Sequence, residues 1–252
     1  MTNSFTEITF ETNDDTVTIF LHRPEALNAI TPTMLAELND ALDAVAENSS
    51  NRFLIITGAG KAFSAGVDLK ALGDRELVDG KVGDILDLPA RALIEKIELL
   101  PMPVIARING FCFTGALEIA LACDLIAVAD EARLGDTHAK WGLRPTWGMS
   151  QRLPQRVGIA KARELSFTAR TIKGRESVEL GLANLSAPLA ELDSAITALI
   201  EEMRPNSAEA FVAYKDLYRG AENLTLEAGL RYEAETDYPF SDSDERLADF
   251  RK

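Results

Sequence analysis

Short unbroken apolar runs alternate with amphipathic stretches through the first half of the chain. Residues 53–57 (FLIIT) show no polar alternation, which is the signature of a strand covered on both faces. Val104–Ile108 and Leu125–Ala129 read the same way. Before the first of them, Met34, Leu35, Leu38, Leu42 and Val45 share one face of a helix, with Thr31 as its N-cap and Pro32 in the first position. A second amphipathic helix is predicted over residues 89–100, where Pro101 and Pro103 end it, and a further helix over Gly115–Ala122. Residues 8–11 and 17–21 read as an antiparallel pair around Asn13-Asp14-Asp15. The polar stretch 73–83 reads as a mobile surface loop.

Helical periodicity dominates beyond Pro154, over residues 159–168, 174–180, 189–203, 207–219 and 225–236. The change of pattern divides the chain into an α/β core (residues 1–190) and a helical C-terminal subdomain (residues 191–252). The tail 241–252 carries helix-forming DERLADFRK, whose apolar positions suit a subunit interface.

Composition narrows the functional classes. The 252 residues can bury a sizeable core, and 46% hydrophobic with 26% charged residues is ordinary for a globular protein. A net charge of −14 argues against nucleic-acid binding, which leaves a basic footprint. No run approaches the roughly 18–20 apolar residues of a membrane span. The first residues lack the basic and apolar parts of a signal peptide, so the expected location is cytoplasmic. Two cysteines, Cys112 and Cys123, and two histidines fit buried reduced thiols better than a metal site, and no metal is expected.

Two glycine-bearing loops each follow an apolar strand and lead toward a helix. They offer Gly66-Val67 and Thr114-Gly115, whose backbone N–H groups could converge on one developing oxyanion. Glu118 follows Gly115 by about one turn, among Ala116, Leu117, Ile119, Ala120 and Leu121. It reads equally as a buried functional carboxylate or as a surface glutamate favoured by the helix dipole. His138, in GDTHAKWG, reads first as a structural or surface histidine on sequence grounds alone, and so does His22.

The motifs LHRPEALNAI (21–30), KAFSAGVDLK (61–70) and PVIARINGFCFTGALEIALACDLIAVADEARLG (103–135), followed by QRLPQRVGIAKARELSFTAR and GLAN, occur in an order that resembles the crotonase superfamily, the enoyl-CoA hydratases and isomerases. The resemblance covers nearly the whole chain. It implies an α/β fold built as a spiral of ββα units, with a helical C-terminal region that forms trimers, often paired as a dimer of trimers. It implies an acyl-CoA thioester as partner, a role in fatty acid metabolism, and no cofactor beyond the coenzyme A carried by the substrate. Val67 and Gly115 match the two oxyanion donors. Ala65 matches the carbonyl offered to the adenine, the backbone of Glu25, Ala26 and Leu27 matches the coenzyme path, and Asp68 and Leu69 lie in the same motif. Glu118 matches the glutamate that activates water. His138 occupies the position of the family's second glutamate, and Trp147 and Met149 stand where small residues are expected around the acyl pocket.

The expected function is therefore an enoyl-CoA hydratase-like lyase, with Glu118 and His138 as its acid/base groups. A histidine with its ordinary pKa of about 6.5 can exchange a proton near neutrality. Two alternatives keep the same fold: another crotonase reaction (isomerisation, decarboxylation or thioester hydrolysis), and an acyl-CoA-binding protein without catalysis.

Overall fold

The computed structural model describes residues 5–70, 73 and 77–248. Strands β1 (Ile8–Asn13) and β2 (Thr16–Leu21) pair antiparallel in the register Ile8 to Leu21, and helix α1 (Pro32–Glu47) follows. Next come β3 (Phe53–Gly58), β4 (Ala62–Ser64) and α2 (Asp84–Leu99), then β5 (Val104–Ile108), β6 (Phe111–Phe113) and α3 (Gly115–Ala122). The pair β7 (Leu125–Ala129) and β8 (Arg133–Gly135) begins another unit, continued by α4 (Met149–Val157), α5 (Ile159–Thr168), β9 (Ile172–Lys173), α6 (Gly174–Glu179) and β10 (Leu185–Ala187). Helices α7 (Leu192–Met203), α8 (Ala208–Asn223), α9 (Leu226–Glu235) and α10 (Ser243–Leu247) complete the described chain.

From β3 onward, the first strand of each unit joins one sheet and the second strand joins another. Among the described residues, the larger sheet has the order β1-β2-β3-β5-β7-β10 and the smaller β4-β6-β8-β9. All neighbours in the larger sheet run parallel except β1 with β2. This is the spiral of ββα units expected from the sequence. The apolar strands behave as their composition demands: in β3 only Ile55 is not fully buried.

Helix α1 begins where Thr31 predicts, since its hydroxyl accepts the Met34 N–H at 3.0 Å, and the five apolar residues of its predicted face are all buried. Three features differ from the sequence reading. The two glycine loops hold β4 and β6, and the stretch after β7 holds β8; at three residues each these strands are too short to show a periodicity. Helix α2 starts at Asp84 rather than at Pro89, because Leu86 continues the buried stripe of Ala90, Leu93, Ile94 and Ile97, and Asp84 and Asp87 suit its N-terminal dipole. Helix α4 lies where no helix was expected, with Pro154 inside it. It buries only Met149 and Leu153, which is too few apolar positions to register as a pattern.

The C-terminal helices fall within a few residues of their expected ranges. Residues 77–83 form no helix or strand. Positions 74–76 of that predicted loop, positions 71–72 before it, and the tail end 249–252 lie outside the described residues. Lys215 of α8 ties the helical region to the core: its ammonium donates to the carbonyls of Ile97 and Met102 and sits 2.7 Å from Asp124 Oδ2. Cys112 and Cys123 are both buried free thiols, and burial pushes each of them up. His22 is exposed. No described helix is long and apolar enough to cross a membrane.

Candidate active site

The two glycine loops meet. Gly66 has φ +94°, and a Cβ there would lie 2.3 Å from Thr114 Oγ1 and 2.8 Å from the Phe113 carbonyl, so only glycine allows the approach. Its neighbour across the contact, Thr114, sits at φ 49° and ψ −117°, a strained conformation for a β-branched residue. Val67 and Gly115 each follow one member of this touching pair. The Ile30 N–H donates to the Gly66 carbonyl and the Asp68 N–H to the Ile30 carbonyl, which pins the first loop from behind. Among the described residues neither the Val67 N–H nor the Gly115 N–H has an acceptor.

Glu118 is 1% exposed, on a helix whose every residue is buried. The surface alternative left open by the sequence is thereby excluded. Its Oε1 accepts the backbone N–H groups of Trp147 at 3.0 Å and Met149 at 2.9 Å. Burial raises the Glu118 carboxyl above the usual range, against the opposing pull of the Met149 N–H, His138 and the Trp147 N–H.

Its Oε2 stands 3.6 Å from Nε2 of His138, which is itself buried. The other ring nitrogen, Nδ1, lies 2.7 Å from Oδ1 of Asp136, which also accepts the His138 backbone N–H at 3.2 Å. The Ser166 hydroxyl donates to Asp136 Oδ2 at 2.6 Å. Burial opposes charge on Asp136, but the His138 ring and the Ser166 hydroxyl outweigh it and hold the carboxyl below its usual range. With Nδ1–H given to Asp136, the ring presents Nε2 to Glu118.

Asp136 went unnoticed in the sequence. A signal was available, because an aspartate whose side chain captures the N–H two residues on is an Asx turn, and Asp-Thr-His has that spacing. Ser166 left no such trace, being thirty residues away in sequence. Asp87 was also missed: fully buried on α2, its Oδ1 accepts from Trp147 Nε1 at 2.8 Å and Thr146 Oγ1 at 2.7 Å.

Glu118, His138, Val67, Gly115, Ala65 and Leu69 all line one cavity of about 160 Å³. Glu25, Ala26, Leu27 and Asp68 lie outside its wall. Leu27 and Asn28 are both left-handed, at φ 51° and 54°, and the Leu27 carbonyl accepts the Ala65 N–H at 2.9 Å. That bond sets the segment containing Glu25 and Ala26 beside the cavity's first loop. The Asp68 carboxylate pairs with Arg23 Nη1 at 3.0 Å. Among the described residues, no group of three or more His, Cys, Asp or Glu side chains could hold a metal ion.

The fold and this cavity can be set beside known proteins. The sequence profile of the enoyl-CoA hydratase/isomerase family matches residues 11–249. The chain is 31% identical over 218 residues to the short-chain-enoyl-CoA hydratase of Clostridium acetobutylicum, covering 86% of this chain and 82% of the relative. It superposes on the crystal structure of enoyl-CoA hydratase from Bacillus anthracis with a TM-score of 0.89 at 32% identity, covering 98% of this chain and 96% of that one. A Thermobifida fusca protein solved in complex with acetoacetyl-CoA is 28% identical, with a TM-score of 0.81 and coverage of 96% and 95%. Ordered motifs, the ββα spiral and these likenesses agree, and the chain belongs to the enoyl-CoA hydratase/isomerase family of crotonase-fold enzymes.

Proposed function

We propose that this protein adds water across the double bond of an enoyl-CoA thioester, with Glu118 and His138 as its acid/base pair. The carrying observation is the 3.6 Å approach of Glu118 Oε2 and His138 Nε2 in the wall of a cavity that Val67 and Gly115 also line. In this reading the Val67 and Gly115 N–H groups receive the thioester oxygen, so that charge developing there meets preorganised dipoles. Glu118 takes a proton from water as the water oxygen bonds to the β-carbon. The π pair moves toward the thioester oxygen, giving an enolate. The cycle starts with His138 as an imidazolium, Nδ1–H on Asp136 and Nε2–H toward the site. When the enolate collapses, Nε2–H delivers its proton to the α-carbon, and Glu118 returns the proton taken from water to the neutral imidazole. Asp136 stabilises the imidazolium and holds its orientation, as a carboxylate behind a histidine does in other acid/base sites.

The coenzyme in this reading passes the backbone of Glu25, Ala26 and Leu27, with the Ala65 carbonyl toward the adenine and Asp68 and Leu69 flanking the path. The bond from the Ala65 N–H to the Leu27 carbonyl supports it, because it joins the two segments into one surface. The acyl-CoA complex of the Thermobifida fusca protein supports the same ligand class. A homotrimer or a dimer of trimers, assembled through residues 191–252, belongs to the proposal. Its support is the exposed apolar side chains Tyr214, Tyr218, Leu226 and Leu230 on α8 and α9.

The test is the loss of enoyl-thioester absorbance when crotonyl-CoA is added. Glu118→Gln keeps the shape and removes the base, so kcat is expected to fall about 10²–10⁴-fold. Undiminished turnover in that variant sinks the proposal.

A further inference from the structure

Trp147 carries two functions on one residue. Its backbone N–H orients Glu118, and its indole lines the cavity. The ring is 3% exposed and its benzo edge lies on the first residue of α3 so closely that a Cβ at Gly115 would come within 2.4 Å of Cζ3. It therefore stands directly beside the Gly115 N–H and the carboxylate that follows one turn later.

The indole is also held from behind by a group that an ordinary core tryptophan does not need. Asp87 Oδ1 accepts both Trp147 Nε1 and Thr146 Oγ1, while Asp87 Oδ2 is buried without a hydrogen-bond partner, its nearest cation being Arg91 Nη2 at 3.8 Å. A half-satisfied buried carboxylate costs stability, whereas a backbone carbonyl would satisfy an indole N–H without that cost. The arrangement fixes the ring's plane and rotamer against the cavity.

The indole forms part of the wall of the cavity of about 160 Å³, on the side of Gly115 and Glu118. An acyl group whose α- and β-carbons lie beside Glu118 and His138, next to the Gly115 N–H, carries its further carbons past the indole that packs on Gly115. The geometry points to Trp147, locked by Asp87, as the residue that limits acyl length, favouring short enoyl thioesters over long ones. This inference rests on the acyl-CoA reading of the site. It adds the substrate class, and it makes Asp87 a positioning residue that acts through the ring.

The experiment measures binding of butyryl-CoA and decanoyl-CoA, saturated thioesters that cannot be hydrated, by titration calorimetry. The intact protein is expected to bind butyryl-CoA at least about tenfold more tightly, the scale on which pockets discriminate methylenes. Trp147→Leu should shrink or invert that ratio by about tenfold, with Trp147→Phe intermediate; the milder variant carries the test if the leucine variant does not fold. Asp87→Ala should shift the ratio in the same direction by freeing the ring. Asp87→Asn retains an oxygen for the indole N–H and should restore the original ratio, a rescue that a merely structural role does not require. Equal affinity for the two thioesters in the intact protein, or an unchanged ratio in a folded Trp147 variant, overturns the inference. Because these ratios need no turnover, a failure here is distinct from a failure to hydrate crotonyl-CoA.

Discussion

Glu118 stands on an eight-residue helix of which every residue is buried, whereas His138 stands in the irregular stretch between β8 and α4, where Lys140, Trp141 and Gly142 face solvent. The two groups nonetheless meet, and they are held by different forces. The Glu118 backbone lies in a helix packed by apolar residues, its N–H donating to the Thr114 carbonyl at 3.0 Å, and its carboxylate accepts two further backbone N–H groups. The His138 ring depends on polar contacts throughout: Asp136 behind it, and Ser166 behind Asp136. A buried helix places its carboxylate through core packing, with two backbone N–H groups fixing its orientation. A loop residue needs a chain of hydrogen bonds, and that chain can be cut without disturbing the core.

That contrast can be broken first at its functional ends. Beside Glu118→Gln, replacing His138 with alanine should lower kcat about 10²-fold or more, and adding it to Glu118→Gln should cost little further, because the two groups act as a unit. Additive losses in the double variant count against a shared proton. Steady-state rates with crotonyl-CoA decide this.

Cutting the loop's support should do less. Asp136→Asn leaves the histidine in place but removes the charge that orients its ring, and a loss of about 10–100-fold in kcat with little change in KM is expected. It also carries a pH signature. The Asp136 carboxyl is held low in the fold, so the stability it contributes is present above the ordinary aspartate value of about 3.9 and is lost as pH falls through the lower folded value. Chemical denaturation should therefore find the intact protein more stable than Asp136→Asn at neutral pH, with the difference vanishing in strong acid. A gap that persists in acid refutes the assignment.

On the helical side the smallest change should appear as stability. Gly115→Ala must push the Trp147 ring aside, and overpacking of this kind costs about 1–3 kcal/mol. A lowered Tm is expected. An unchanged Tm would show that the ring yields freely, which would weaken the contrast between a rigid helix and an adjustable loop.

Legibility in the sequence followed the same division. Helix α3 and strands β5 and β7 were readable to the residue, since their apolar runs are continuous and the prolines at 101 and 103 mark an edge. The placement of Gly66 and Gly115 was readable from the strand–loop–helix order. Strands β4, β6 and β8 were not, because three residues carry no period. Helix α4 was hidden by two buried positions and an internal proline. Asp87 was unreadable for another reason: the helix read from the sequence began at residue 89 and left Asp87 before it, and an aspartate near a helix start looks like a dipole-stabilising surface charge.

The sequence by itself determined the family, the ββα spiral, and the candidates Glu118, His138, Val67 and Gly115, because these rest on local patterns and ordered motifs. Only the tertiary structure decided that Glu118 is buried, that His138 faces it at 3.6 Å, and that Asp136, Ser166 and Asp87 stand behind the site. The reason is physical. Burial and hydrogen-bond partnership across 30 or 60 residues of chain belong to packing, and no local periodicity records them.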